Sequence, residues 1–198
     1  MRQPKVWLAL VGATALGLLI VPLSIKHNHP SSVISRLTLT PTVAAIPKQS
    51  YRGLPTQLKI PAISVDAQVE YMGLASDGDM ATPSDISGVG WYEYGAIPGE
   101  AGSSVIAGHV VGPKGQPAVF AQLDKLVPGD ILLVVDAKGQ TASFTVREIK
   151  NYGQTEQPSE VFNSGPGTHL NLVTCSGDWD AATHHYLDRL VVFADKSV

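Results

Sequence analysis

The sequence predicts an all-β domain over residues 54–198, closed as a barrel or folded as a sandwich, with at most one or two short helices. Three observations predict it. Short β-branched stretches recur from Leu54 onward, and turn dipeptides separate them at Asp77-Gly78, Pro128-Gly129 and Lys138-Gly139. Helical periodicity is confined to Val119–Leu126, where Phe120, Leu123 and Leu126 fall on one face.

In chain order the strands are expected at Gln57–Ile60, Gln68–Leu74, a short one near Gly90–Tyr92, Ser103–Gly108, Asp130–Asp136, Thr141–Ile149, Leu170–Thr174 and Arg189–Ala194. The segments Ile131–Val135 and Ser143–Ile149, joined around Lys138-Gly139, read as a hairpin. A chain of roughly 140 residues buries one adequate core without disulfides. The single cysteine, Cys175, leaves packing alone to hold this one, and no internal repeat is present.

Ahead of the domain, Val6–Ile25 runs for twenty positions without a charge, between Arg2 and Lys5 on one side and Lys26 on the other. At about 1.5 Å per residue a helix of that length spans roughly 30 Å, the thickness of a bilayer's hydrocarbon. The stretch exceeds the ~7–15 residue core of a cleaved signal peptide, and no small-x-small cleavage site follows promptly. It therefore reads as a transmembrane signal anchor, residues 6–25. The basic residues before it place residues 1–5 in the cytoplasm and the remainder outside the cell membrane. Residues 26–53, with prolines at 30, 41 and 47 and little apolar period, read as an extracytoplasmic linker.

Charge divides the chain. Residues 1–65 carry seven Lys/Arg and no acid, whereas 66–198 carry seven Lys/Arg against seventeen Asp/Glu, giving +7 and −10. A basic arm beside the anchor suits an anionic lipid surface, and an acidic domain argues against nucleic acid as partner. No acidic cluster has calcium-loop spacing, so no metal or cofactor is expected.

The candidate chemistry centres on Cys175, which ends the apolar run Leu170–Thr174 where a strand is expected to give way to an open loop. A thiol attacks as thiolate, so it needs a base or a nearby cation, and a developing oxyanion needs a donor. Of six histidines, His27 and His29 lie in the linker, His169 precedes the Cys175 strand, and His184 and His185 follow it. His109 closes the strand Ser103–Gly108, so its ring is expected to project at the barrel's rim. The domain holds two arginines. Arg147 lies inside a strand and reads as a solvated or paired surface group, and Arg189 opens the last strand. The fork of Arg189 suits a carbonyl or oxyanion; an ion pair with Asp178, Asp180 or Asp188 is the competing reading.

The segments IAGHV (Ile106–Val110), LVTCSG (Leu172–Gly177) and RLVVFA (Arg189–Ala194), together with LKIPAISVDAQV (Leu58–Val69) and GVGWYEYGAIPGEAGSSVIAGH (Gly88–His109), resemble a sortase from about residue 54 to the end. The WY…PG…AGH and CSGDWD…THHY patterns look most like class F, with class E as the near alternative. The resemblance implies a closed eight-stranded β-barrel and a cysteine transpeptidase in which Cys175 is nucleophile, His109 acid/base and Arg189 stabiliser of the substrate carbonyl or oxyanion. It further implies secreted proteins with C-terminal Leu-Pro-x-Thr-Gly sorting signals as substrates, and an amine of a cell-wall precursor or pilin as acceptor.

Three rival readings compete with this one. A crosslinking cysteine transpeptidase would ordinarily show a His-Gly-Cys cluster, which the chain lacks. A metal site of Cys175, His109, His184 and His185 would require two adjacent histidines to face one ion. The non-enzymatic alternative is a membrane-tethered β-domain that binds a surface protein, with Cys175 buried and inert.

Overall fold

The computed structural model describes residues 53–153, 155–182 and 185–197. The expected cytoplasmic segment 1–5, the span 6–25 and nearly all of the linker 26–53 lie outside the described residues, as does His184. Among the described residues no helix is long and apolar enough to cross a membrane.

Eight strands form: β1 (Pro55–Ile60), β2 (Val65–Met72), β3 (Val89–Tyr92), β4 (Gly102–Ala107), β5 (Ile131–Asp136), β6 (Thr141–Gly153), β7 (Thr168–Asp180) and β8 (His185–Lys196). They close into a barrel in the order β1-β2-β3-β4-β7-β8-β6-β5. The pairs β2·β3 and β4·β7 are parallel and the other six are antiparallel. Closure removes every open sheet edge. The β5–β6 hairpin has the expected partners, with Val135 opposite Thr141 and Ile131 opposite Thr145.

Period-two alternation sorts the long strands between two faces. Leu170, Leu172 and Thr174 of β7 point into the barrel, as do Leu190, Val192 and Ala194 of β8. There they meet Leu58, Ile60, Ile106, Leu132 and Phe144, all fully buried. Truncating a side chain so placed typically costs about 2–5 kcal/mol. The alternate residues of the same strands face outward and are partly covered too. Val105, Val191 and Phe193 form a second cluster with Val161, on which Met80, Tyr92, Tyr152 and Val173 pack. Two covered faces explain why β4, β7 and β8 read as continuous apolar runs rather than clean alternation.

Two expectations need correction. Val119–Leu126 forms no helix beyond a 3-10 turn at Leu123–Lys125. Phe120, Leu123 and Leu126 nevertheless share the buried side, as 1%, 0% and 3% exposed residues. Their spacing therefore reported a common burial target, which a turn presents as well as a helix does. The second correction concerns strand ends. β7 runs on to Asp180 and β8 starts at His185, so Cys175 and Arg189 lie within paired strands and not at the edge of a loop.

Candidate active site

The register of the sheet places the three candidate side chains in one row. Cys175 is the direct antiparallel partner of Arg189, and both take the outward face of their strands. Side chains of directly opposed residues sit about 4.5–5.5 Å apart at Cβ. On the other flank Ala107 of β4 pairs with Val173 of β7 in parallel register. His109 and Cys175 each lie two residues further along, on the same face. Gly108 N–H donates to the Val173 carbonyl at 3.1 Å, and the buried Thr174 hydroxyl donates to the Gly108 carbonyl at 2.8 Å. Those bonds hold the His109 backbone against the Cys175 strand after β4 has ended.

β6 supplies a fourth member. A bulge between Val146 and Glu148 inserts a residue and reverses which parity faces outward, so Phe144 and Ile149 both pack on the interior. Beyond it Tyr152 faces out, opposite Arg189. The row His109, Cys175, Arg189, Tyr152 therefore crosses four neighbouring strands on the outside of the barrel. His109 was expected at the rim; the site is instead on an outer face, because the interior is filled by side chains.

These residues line a groove of about 530 Å³. Its floor is Val105, Ala107, Val173 and Val191, and its walls come from two connections. One is the β2–β3 loop with Leu74, Met80 and Pro83; the other is the β6–β7 connection with Pro158, Val161 and Phe162. The second wall is held by a network of polar bonds. Tyr152 donates to Glu160 at 2.8 Å, while buried Asn171 donates to the Val161 carbonyl at 2.5 Å and to Ser164 Oγ at 3.0 Å. Burial, that hydrogen bond and the negative charge of Glu160 push the Tyr152 phenol well above its usual range, so it serves as a neutral donor.

The first wall touches the candidate residues themselves. The Pro83 carbonyl lies 2.9 Å from His109 Nε2. A carbonyl only accepts, so Nε2 carries a proton, and Nδ1 is the nitrogen left to exchange one. Asp79 Oδ2 lies 3.7 Å from Arg189 Nη2. The competing reading of Arg189 foresaw an acidic partner from its own hairpin, and the partner proves to come from the β2–β3 loop. The loop in turn hangs on Glu70, whose carboxylate accepts from the Ser84 and Asp85 backbone amides and the Ser84 hydroxyl. Those bonds hold its carboxyl below the usual glutamate range.

Cys175 is exposed, contrary to the alternative in which it is buried and inert. Protein packed around the sulfur pushes its pKa up from the ordinary thiol value, and the charge of Arg189 works against that rise. The thiol is thus mostly protonated near neutral pH, with Arg189 the charge that favours its ionised form.

The other described histidines, His169 and His185, lie outside this row. His169 is buried at the start of β7, with Nδ1 2.7 Å from Asp195 and Nε2 3.1 Å from the Pro166 carbonyl. Asp195 also pairs with Arg147 at 3.3 Å, as expected of a paired surface arginine. His185 is exposed at the start of β8. Sequence reasoning missed Tyr152, Asp79 and Pro83. Tyr152 follows the charged and polar stretch of β6 and is turned outward only by the bulge, and Asp79 and Pro83 belong to a loop whose target is set by tertiary folding.

Directly behind the nucleophile, β7 slips against β8 between Ser176 and Trp179, and Gly177 adopts a φ of 75°. A Cβ at Gly177 would fall on the Asp188 carboxylate. Gly177→Ala is expected to shift the Cys175–Arg189 pair and lower kcat/KM by up to about 10²-fold, the scale of a 1 Å misplacement. Steady-state kinetics beside a melting curve checks this; unchanged kcat/KM in a folded variant would refute it.

The sortase domain family matches residues 58–197. No curated protein matches the chain. Among solved structures, sortase C-1 from Actinomyces oris aligns with TM-score 0.58 at 22% identity, covering 72% of this chain and 73% of that one. Sortase A from Corynebacterium diphtheriae aligns with TM-score 0.57 at 20% identity, over 76% of this chain and 63% of that one, less than two thirds of its length. Sortase C from Clostridium perfringens SM101 gives TM-score 0.53 at 23% identity, over 75% and 72%. At these identities the structural likeness establishes a shared barrel, and the domain match across most of the described residues goes further: the chain belongs to the sortase family.

Proposed function

We propose that this sortase is a membrane-anchored cysteine transpeptidase that cleaves a Leu-Pro-x-Thr-Gly type signal between Thr and Gly and joins the protein to a cell-surface amine. The observation that carries the proposal is the cross-strand row of thiol, imidazole and guanidinium lining an apolar groove. An extended peptide with apolar side chains suits such a floor of Val105, Ala107, Val173 and Val191.

The thiolate of Cys175 attacks the Thr carbonyl carbon, forming the S–C bond and placing negative charge on oxygen. Arg189, opposite it in the register, stabilises that charge. Collapse breaks the C–N bond, and His109 gives its proton to the departing amine. The acyl group remains as a thioester on Cys175. An incoming amine attacks the thioester, loses its proton to His109 and releases the thiolate with a new amide bond. Burial raises the Cys175 thiol above its ordinary value, so the attacking thiolate is a minority species near neutrality.

The anchor at 6–25 and linker 26–53 would hold the domain on the outer face of the cell membrane, near secreted substrates and the acceptor of a cell-wall precursor or pilin. The WY…PG…AGH and CSGDWD…THHY patterns favour class F over class E. Incubating the protein with a sorting-signal peptide should leave an acyl adduct on Cys175 by mass spectrometry, and adding an amine should convert it to transferred product. A panel of such peptides giving no adduct would overturn the proposal.

A further inference from the structure

Asp79 of the β2–β3 loop reaches Arg189 of the candidate row from outside it. Asp79 sits on a small turn made by bonds within the β2–β3 loop: Ala75 N–H donates to the Asp79 carbonyl at 2.8 Å, and Ala81 N–H to the Gly73 carbonyl at 3.0 Å. An isolated antiparallel bridge between Leu74 and Met80 closes the turn. The Asp79 amide further donates to Asp77 Oδ1 at 3.1 Å. The carboxylate is thus presented to Arg189 by ordered backbone, and the loop's stem is fixed by Glu70.

We propose that Asp79 is a positioning residue that occupies Arg189 in the free enzyme and yields it to the substrate, so that it weakens substrate binding and damps the thiol. The inference rests on the reading of Arg189 as stabiliser of the substrate oxygen. Geometry decides between a competitor and an orienting partner. At 3.7 Å the contact is an ion pair beyond hydrogen-bond length, so Asp79 does not fix the guanidinium fork. It balances the charge instead. Arg189 is the group that draws the thiol toward its ionised form, and a carboxylate beside it offsets that field. Both side chains are largely in water, at 42% and 64% exposure, so substrate can displace the pair at little cost.

The test uses the full-length protein in detergent. In Asp79→Asn, KM for a sorting-signal peptide should fall about two- to fivefold, the range set by an exposed ion pair. Alkylation of Cys175 by iodoacetamide at fixed pH should quicken, and both differences should shrink with added salt. Asp79→Glu should restore wild-type behaviour. If Asp79→Asn leaves KM and alkylation unchanged, or raises KM, while Arg189→Gln loses activity, the competitor role is wrong and the role of Arg189 stands. If Arg189→Gln is itself without effect, both fall together.

Discussion

Replacing His109 by alanine is expected to lower kcat/KM by about 10²–10⁴-fold, the usual contribution of a general acid–base group. The loss should fall on kcat, because the groove's apolar floor and walls remain in place without the ring. Proton donation matters most when the C–N bond breaks. An activated thioester or ester substrate, with a leaving group that needs no proton, should therefore recover much of the lost rate in His109→Ala. Cys175→Ala should recover none of it with either substrate. Equal losses for amide and ester would show that His109 only shapes the site. The backbone supports the chemical role. The Pro83 carbonyl accepts a hydrogen bond from Nε2–H, while Thr174 and Val173 hold the preceding peptide, so the ring is fixed from both sides.

That fixation explains how much of the site was legible in advance. Runs such as Leu170–Thr174 and Leu190–Ala194 identify their strands because both faces of the sheet are covered there. A residue's distance along such a strand then predicts its level, which is why His109, Cys175 and Arg189 could be named from sequence. Three things could not be read that way. The continuations Ser176–Asp180 and His185–Asp188 bury no residue, and they remain strand because each is the other's partner. The bulge in β6 depends on how that strand meets β8, and it alone turns Tyr152 toward the groove. The β2–β3 loop holds no apolar period, yet its Pro83 and Asp79 contact two of the three candidate residues. Local pattern reports burial; it does not report which loop folds over which strand.

The close packing beside His109 also shows why a glycine precedes it. A Cβ at Gly108 would lie 2.6 Å from Cδ2 of Phe120 and 2.8 Å from Cγ1 of Val119. Phe120 is itself fixed, since its amide donates to the His109 carbonyl at 2.9 Å and its ring is 1% exposed. The segment 109–120 is thus closed on itself at its two ends, with Phe120 seated in the barrel core. Phe120, one of the three residues with helical spacing, thus serves to clamp the histidine.

Arg189→Gln is expected to lower kcat by about 10²–10³-fold, the cost of removing one donor from a developing oxyanion. A second consequence distinguishes charge from mere hydrogen bonding. Burial raises the Cys175 pKa and Arg189 opposes the rise, so neutralising Arg189 should raise it further. The sign follows directly. A higher thiol pKa means less thiolate at any pH below it, so iodoacetamide alkylation near neutrality should slow in Arg189→Gln. The pH midpoint of alkylation, already above the ordinary thiol value of about 8.5 in the wild type, should move upward. Arg189→Lys keeps the charge and should leave that midpoint near the wild-type position. It loses the planar fork, however, so it should still show much of the kcat loss. A midpoint identical in all three proteins would mean that the guanidinium, although paired in register with Cys175, exerts no field on the sulfur. Oxyanion stabilisation would then have to be assigned to backbone donors at the end of the groove.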